Sequence, residues 1–482
     1  MSNLSLVTKD GGTTSIAPAA IERLRAHLQG SLCLPGDPGY DEGRTLWNAM
    51  IDRKPGILVR AARAEDVVAA VNFAREEGLL LSIKGAGHNI AGNAACEGGL
   101  MIDLSLMRKV TVDPKAKTAV VQPGATLADL DGAAQAHGLA TPVGINSTTG
   151  VAGLALGGGY GWLSRKYGLT ADNLISADVV TANGEKVRAS STENEDLFWA
   201  IRGGSGNFGV VTSFEFRLHP VGPEVLQGLV VYPFDQAKQV LDAYRKFAAQ
   251  APEDLTAWVV LRQAPPLPFL PESVHGKEVV VIAFCHIGDA AKAEKDAAPL
   301  QTFGKPVGAH VGRGPFADWQ KGFDPLLTPG ARNYWKSHNF NELSDGLIGV
   351  LLDAIKRLPG PECEIFIALL GGAINRVPVN ATAYPHREAL YTMNAHGRWR
   401  EAKDDAGHMG WARELFKATA PYATGGVYVN FMPADEADRV KSGAYGPNYE
   451  RLARLKARFD PQNLFRMNQN IRVPEQAGTP GA

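Results

Sequence analysis

The segment SIKGAGHNIAG (residues 82–92) joins the end of a predicted strand, residues 79–83, to a turn in which glycines surround one histidine. Such glycines allow consecutive backbone N–H groups to converge on one point, an arrangement that suits a pyrophosphate group. The segment is not a dinucleotide fingerprint, because GxGxxG beginning at Gly85 would need a glycine where Ile90 stands. By itself it also fits a structural histidine in a tight turn, and this simpler interpretation of His88 stays open here.

The sequence before this segment predicts a strand–helix–strand unit. Residues 56–62 are predicted to form a strand, a helix begins at Ala64, and Gly78 suits its C-terminal cap. Together with strand 79–83, this pattern favours a mixed α/β domain. Further strands are predicted at residues 100–104, 109–112, 118–121, 177–181, 186–189 and 210–218.

A second cluster of glycines surrounds Tyr160 in residues 150–161. So many glycines would be entropically costly in an ordinary helix, but the cost is reasonable where the backbone lies against a flat ring or a phosphate. Close packing of a helix on a sheet is the simpler alternative.

A third glycine segment, GSGNFG at residues 204–209, does match GxGxxG. A predicted helix precedes it and a strand follows it, which is the reverse of the order that a Rossmann fingerprint needs. We therefore reject NAD binding through this motif, and we expect the loop itself to contact a cofactor.

Length and composition limit the class of protein. A chain of 482 residues is expected to contain two or three domains. A net charge of −1 gives no electrostatic reason to bind nucleic acid or anionic lipid. No segment has the roughly 18 apolar residues needed to span a bilayer, and no signal peptide is visible, so we expect no membrane partner and a cytoplasmic location. The cysteines form no CxxC pair and are expected to be reduced, and the histidine spacing predicts no metal site.

The character of the sequence changes after His219-Pro220. From there to about residue 415 the glycine loops disappear, and strands such as 278–284 and 364–370 alternate with helices. This pattern predicts a second domain built on an antiparallel sheet. We expect domains or segments at residues 1–220, 221–415 and 416–475, and a disordered tail at 476–482.

In their order and spacing these segments resemble the FAD-linked oxidases of the vanillyl-alcohol oxidase (PCMH-type) fold, and most closely the berberine bridge enzyme-like branch. The resemblance covers nearly the whole chain. It implies an α+β protein in which a PCMH-type FAD-binding domain of two subdomains is completed by the C-terminal segment, with an inserted substrate domain whose antiparallel sheet is covered by helices. It rests on SIKGAGHNIAG (82–92), GVAGLALGGGYG (150–161), DLFWAIRGGSGNFGVVTSFEFRL (196–218), YVNF (428–431) and YGPNYERLARLKARFDPQNLFRMNQNI (445–471).

In this family the histidine of the first loop is joined to the flavin, and His88 occupies that place. Many members also hold the flavin through a cysteine. Here residues 144–153 read GINSTTGVAG, and Asn146 stands at the cysteine position. Because a carboxamide cannot form the thioether, the resemblance implies FAD with a single covalent link, through His88.

Two tyrosines are candidates for catalysis. Tyr160 matches a tyrosine that faces the active site in the family, and a tyrosine packed in a helix is the alternative. Tyr428 is retained from a Y-x-N-Y motif whose last position is Phe431 here, so a hydroxyl is missing. Tyr428 is therefore either catalytic or only packs.

A strand in the second domain supplies further candidates. Alternation places Thr392, Asn394 and His396 on one face, which in the family looks at the flavin. Asn394 and the titratable His396 are catalytic candidates, while a structural or surface role for His396 is equally open.

The resemblance also implies a set of residues that contact FAD. For Asn468 a C-terminal cap is the alternative. The set is Lys84, Gly85, Ala86, Gly87, His88, Asn89, Gly92, Asn146, Thr149, Gly150, Gly153, Gly158, Tyr160, Gly161, Gly209, Val210, Tyr428, Asn430 and Asn468.

The function expected from the sequence is that of an FAD-dependent oxidase. Hydride would pass from a small alcohol, sugar or amine to covalent FAD, and the electrons would pass to O₂. Two alternatives stay open: a flavin dehydrogenase with another electron acceptor, and a non-catalytic flavin- or ligand-binding protein.

Overall fold

A computed structural model describes residues 3–474 of the chain, so the predicted tail at 476–482 lies outside the described residues. These residues form five sheets and a set of mostly short helices. None of the described helices is long and apolar enough to cross a membrane. The α-helices are Pro18–His27, Tyr40–Arg44, Ala64–Glu76, Leu127–Gln135, Val151–Leu156, Ser164–Tyr167, Glu195–Ile201, Ala237–Ala248, Ala290–Ala297, Phe316–Trp319, Asp345–Ile355, Ala373–Arg376, Asp405–Thr419 and Tyr449–Phe459.

The histidine loop leaves a four-stranded sheet. The strands lie in the spatial order Ser31–Cys33, Ile57–Arg60, Leu100–Asp103 and Leu81–Lys84. Leu100–Asp103 pairs in parallel with both Ile57–Arg60 and Leu81–Lys84, and helix Ala64–Glu76 connects those two strands in the chain. The predicted strand–helix–strand unit is confirmed.

A five-stranded antiparallel sheet carries the other glycine segments. Its order is Lys186–Ser190, Leu174–Val180, Val210–Arg217, Thr118–Val121 and Val110–Asp113. The strands predicted at 177–181 and 186–189 form a hairpin whose turn includes Gly184, where a φ of +77° favours glycine. Helix Val151–Leu156 ends at Gly157, and the chain then turns through the rest of the glycine cluster. Helix Glu195–Ile201 does precede the GSGNFG segment, and strand Val210–Arg217 does follow it.

A seven-stranded sheet dominates the middle of the chain, and all of its pairings are antiparallel, as predicted. Helices Ala237–Ala248 and Asp405–Thr419 pack on it. Its order is Gly308–Pro315, Glu224–Pro233, Glu278–His286, Leu255–Gln263, Glu364–Leu369, Tyr391–Trp399 and Arg332–Phe340. The α+β class is confirmed, and the domain boundaries stay predictions.

Two short pairings were not predicted. A hairpin joins Leu4–Val7 to Thr13–Ile16, and His219–Pro220 pairs with Leu139–Ala140. The four cysteines are free and buried.

Candidate functional site

A cavity of about 320 Å³ lies where the glycine segments, the seven-stranded sheet and the C-terminal segment meet. Its volume is within the range of small-molecule sites. Predicted residues that line it are Gly85, Ala86, Gly87, His88, Asn89, Asn146, Thr149, Gly150, Gly153, Tyr160, Gly209, Val210, Asn394, His396, Tyr428, Asn430 and Asn468.

Four residues expected to contact the cofactor are not among those lining the cavity. Lys84 is buried and directs its ammonium group to the Gly43 carbonyl and, at 3.5 Å, to Asp103. The other three pack closely on protein: a Cβ at Gly92, Gly158 or Gly161 would lie 2.7 Å from Ile51, 2.9 Å from Tyr384 or 1.7 Å from the Val143 carbonyl, respectively. These four residues shape the loops from behind the cavity wall.

His88 lines the cavity with its ring stacked on Trp47, at 5.0 Å between centroids. Its Nε2 lies 3.0 Å from the hydroxyl of Thr148. Removal from bulk water lowers the pKa of His88 to about 3, against a smaller opposing effect of the Thr148 backbone. The imidazole is therefore neutral and has one nitrogen with a free lone pair.

The turn around Asn146 is held by its own hydrogen bonds. The Asn146 side-chain oxygen accepts from the Thr148 backbone N–H at 3.1 Å and from the Thr148 hydroxyl at 2.8 Å. Ser147 donates its N–H to Asp324 at 2.9 Å, and its hydroxyl bonds to the same carboxylate. The residue at the cysteine position thus supports the loop that faces His88.

Tyr160 and Tyr428 lie side by side, with ring centroids 4.8 Å apart. The Tyr160 hydroxyl is buried without a partner among the described residues, and burial raises the pKa of Tyr160 well above its ordinary value. The Tyr428 hydroxyl accepts from the Gly159 N–H at 3.2 Å and from Asn430 at 2.8 Å, and burial raises its pKa to about 12. Both phenols are therefore neutral, and Tyr428 also holds the glycine turn in place.

The seven-stranded sheet contributes a charged pair that sequence reasoning missed. Glu364 lies opposite His396 in the register, and its carboxylate is 3.3 Å from His396 Nδ1 and 2.8 Å from Arg262. Burial alone would raise the pKa of Glu364, but the charge of Arg262 and the hydrogen bond with His396 hold it below its ordinary value. Alternation along strand 364–370 could have placed Glu364 with Phe366 on one face, but not beside His396.

Asn394 and Thr392 differ in what they face. The Asn394 side-chain oxygen is buried without a partner among the described residues, and Asn394 lines the cavity. Thr392 does not line it, because its hydroxyl donates to Asn339 at 2.9 Å inside the sheet.

The cavity fits an extended cofactor with a flat ring. Gly153 and Gly206 line it, and a Cβ at Gly153 would meet no atom within 4 Å, so the absent side chain leaves room for a ligand. Buried polar atoms without a protein partner face the same region, including the side-chain oxygens of Asn394 and Asn468. Unpaired buried polar groups are costly unless a ligand or water satisfies them. Among residues 3–474 no group of His, Cys, Asp or Glu is arranged to hold a metal ion.

Two family models match the chain: an FAD binding domain at residues 55–190 and a berberine and berberine-like segment at residues 427–472. An FAD-linked oxidoreductase of Dictyostelium discoideum is 32% identical over 451 residues, which cover 92% of this chain and 95% of that protein. A xylooligosaccharide oxidase of Thermothelomyces thermophilus is 29% identical and covers 89% of each chain.

The fold is also similar to that of solved flavoenzymes. The crystal structure of 6-hydroxy-D-nicotine oxidase from Arthrobacter nicotinovorans superposes with a TM-score of 0.82 at 28% identity, over 93% of this chain and 98% of that one. The matched regions include the histidine loop, the glycine cluster and the C-terminal segment that together line the cavity.

Proposed function

The chain belongs to the FAD-linked oxidoreductases of the berberine bridge enzyme-like family, and from this premise we propose that it is an oxidase whose FAD is covalently attached to His88 alone. Its substrate is a small alcohol or amine and its electron acceptor is O₂. The observation that carries the proposal is the cavity itself: a neutral histidine lies in the wall of a glycine-lined space that is also lined by Glu364 and His396.

Bound FAD supplies the redox chemistry by accepting a hydride from a C–H bond next to oxygen or nitrogen. The protein must then take the proton of the substrate O–H or N–H. Among the described cavity residues the titratable groups are His88, Tyr160, Glu364, His396 and Tyr428. The two tyrosines are neutral and His88 is assigned to the flavin, so the pair of Glu364 and His396 is left as the proton acceptor.

Hydrogen bonds support Glu364, rather than His396, as the residue that accepts the substrate proton. Asn333 donates its NH₂ group to the Ala331 carbonyl at 2.9 Å, which turns its oxygen toward His396 Nε2 at 3.2 Å. His396 therefore has an acceptor at each ring nitrogen, Asn333 at one and Glu364 at the other. Both nitrogens carry protons in this arrangement, and the Glu364 carboxylate is the group with lone pairs for the substrate proton. Asn394 and Tyr160 line the cavity with buried side-chain oxygens that have no partner among the described residues, which supports a role for them in binding the substrate heteroatom.

Three functional alternatives are separated by one experiment on the full-length protein. The purified protein is mixed anaerobically with a panel of alcohols, amines and sugars, and its visible absorption is followed before and after air is admitted. Bleaching by a substrate and rapid recovery with H₂O₂ formation are expected for an oxidase. Recovery only with an added acceptor indicates a dehydrogenase, and no bleaching by any substrate contradicts catalysis.

The covalent link is tested separately. Acid-precipitated wild-type protein should stay yellow, and digestion should place the flavin on the peptide that contains His88. His88→Ala should give a colourless pellet while still binding FAD without a covalent bond. A flavin found on the Asn146 peptide, or a colourless wild-type pellet, would contradict the single link.

A further inference from the structure

A second, smaller cavity adjoins the first and shows what kind of substrate the site takes. Its volume is about 70 Å³, and it shares Ile145, Trp258, Leu327, Glu364 and Phe366 with the larger cavity. We call this smaller space the annex. It lies over the seven-stranded sheet, so a group that enters it projects away from the histidine loop.

The walls of the annex are almost wholly apolar. Arg262 and Glu364 are its only charged residues among those described, and they bond to each other at 2.8 Å. Aliphatic side chains form most of the remainder, and four aromatic residues lie among them. Trp162 stacks on Trp258 at 4.1 Å, and Phe366 meets Trp258 edge-on at 5.1 Å. The indole N–H of Trp162, which also lines the annex, is buried and has no partner among the described residues.

We propose that the annex binds the hydrophobic, ring-bearing part of the substrate, so that the chain oxidises small aromatic alcohols or amines rather than sugars. This inference rests on the proposed function of the same site. A sugar placed here would bury hydroxyl groups without hydrogen-bond partners, whereas an aromatic ring is matched by the ring faces and edges of the walls. An engineered apolar cavity of about 150 Å³ holds a whole benzene molecule. The annex, at about 70 Å³, is smaller, so it accommodates part of a ring whose other part lies in the larger cavity.

The test uses the purified full-length flavoprotein with benzyl alcohol and benzylamine against glucose and xylobiose. An aromatic compound is expected to bleach the flavin anaerobically at least about 10-fold faster, at equal concentration, than either sugar. Bleaching by the sugars alone would overturn the inference and leave the proposed function intact. Bleaching by none of the four, with no response to a wider panel, would count against the proposed function itself.

A variant that fills the annex tests whether the preference for aromatic substrates depends on this space. Val260 is half-buried, lines the annex and does not line the larger cavity. Val260→Phe should lower kcat/KM for the aromatic substrate about 10-fold or more, with the flavin content and the midpoint of thermal unfolding retained. Val120→Phe is the matched control, because Val120 is 44% exposed on another sheet. Equal kcat/KM values for the two variants, or loss in both, would overturn the role of the annex.

A different observation concerns the attachment of the flavin. The Thr148 backbone N–H donates to the Asn146 side chain, so the Asn146 atom that faces Thr148 is the oxygen and not the NH₂ group. The Thr148 hydroxyl, 2.8 Å from this oxygen, must then donate to it. The hydroxyl has no second proton, so at its 3.0 Å contact with His88 Nε2 it accepts. The neutral ring of His88 therefore has its proton on Nε2 and its lone pair on Nδ1.

We infer that Asn146 and Thr148 are positioning residues that present Nδ1 of His88 for covalent attachment, a role that rests on the proposed link. In the step, the Nδ1 lone pair forms a bond to the 8-methyl carbon of the flavin, which loses one C–H proton. The ring loses its Nε2 proton, and two electrons with these two protons reach O₂ as H₂O₂. The ring is transiently cationic as the bond forms, and the hydrogen bond from Nε2–H to Thr148 stabilises that charge.

Thr148→Val removes the hydroxyl and keeps the shape, and Thr148→Ser keeps the hydroxyl. The full-length proteins are incubated with FAD in air, and the covalent fraction is followed by intact mass. Thr148→Val should attach flavin at least about 10-fold more slowly than wild type, and Thr148→Ser should attach it at a rate within about 2-fold of wild type. Equal rates for the two variants would overturn the positioning role of the Thr148 hydroxyl. In the isolated flavin peptide, NMR couplings from the 8α protons should reach His88 Cγ and Cε1. Couplings to Cδ2 would place the bond on Nε2 and refute the inference.

Discussion

At the scale of single residues, Glu364 matters because it is the only carboxylate among the described residues that line the main cavity. The charge of Arg262 and the hydrogen bond with His396 hold the pKa of this carboxyl below its ordinary value, so Glu364 stays ionised at neutral pH. A buried carboxylate that stays ionised can accept a substrate proton at neutral pH.

Glu364→Gln should therefore lower kcat by about 10²- to 10⁴-fold and leave the flavin content unchanged. Glu362→Gln is the matched control, because Glu362 pairs with Arg398 and Arg400 outside the cavity. Since the pKa of Glu364 lies below its ordinary value, kcat of the wild type should fall only at acidic pH, as the carboxylate takes up a proton. Steady-state rates across pH test this, and an acid limb that persists in Glu364→Gln would assign it to another group.

Individual residues also show what the sequence could provide. His88, Asn146 and Tyr160 were identified because a motif places them, and all three line the cavity. Glu364 was missed because its meaning depends on strands 364–369 and 391–399 being neighbours, which alternation along one strand does not reveal.

At the scale of elements, helix Ala64–Glu76 was predictable because its apolar positions recur at helical spacing and become a buried face of Val67, Ala70, Val71 and Ala74. The N-terminal hairpin was missed because its two strands have four residues each and are largely exposed or half-buried. Such strands carry little of the hydrophobic alternation from which a strand is predicted.

The start of helix Ala64–Glu76 depends on Asp66, which is buried. Its carboxylate accepts from the backbone N–H groups of Gln29, Gly30 and Ala62 at 2.8–2.9 Å. Burial alone would raise the pKa of Asp66, but these hydrogen bonds hold it below its ordinary value. Because the folded-state pKa is lower than the unfolded one, Asp66 contributes stability above the unfolded pKa, and this contribution is lost as pH falls through the folded pKa.

Asp66→Asn should lower the free energy of unfolding by about 1–3 kcal/mol at neutral pH, because an NH₂ group replaces one acceptor facing backbone donors. The deficit relative to wild type should shrink in acid. Asp438→Asn is the control, an exposed position. Urea unfolding midpoints at several pH values measure both, and a deficit that is the same at all pH values would argue against the ionised carboxylate.

At the scale of the whole molecule, the cavity exists only because distant parts of the chain are held together. Asn48 donates to the Asn333 carbonyl at 2.9 Å, and Ser147 bonds to Asp324 across the same boundary. Asn333 lies in strand Arg332–Phe340 of the seven-stranded sheet, and Asp324 lies shortly before that strand. Both contacts therefore join the N-terminal part of the chain to the part that forms this sheet. No local sequence pattern specifies such pairs, which explains why the site residues were easier to predict than their partners.

Arg387 forms an ion pair that links two distant parts of the chain. Its guanidinium bonds to both carboxylate oxygens of Asp172 at 2.7 Å, with side chains only 2% and 10% exposed. Asp172 also accepts from the Leu169 N–H at 2.8 Å, so it fixes the turn that follows the glycine cluster. The turn is held in addition by backbone bonds from Thr170 to Gly159 and from Ala171 to Gly158.

Arg387→Met should lower the stability of the folded protein by about 3–5 kcal/mol, because it leaves the Asp172 carboxylate buried without its partner. The double variant Arg387→Met with Asp172→Leu should recover part of this loss, since it removes both charges from the interior. The denaturation midpoint of each variant, with the content of bound flavin as a check on folding, measures the coupling. If the double variant instead loses the sum of the two single losses, the pair does not hold the two parts together and the turn depends on its backbone bonds alone.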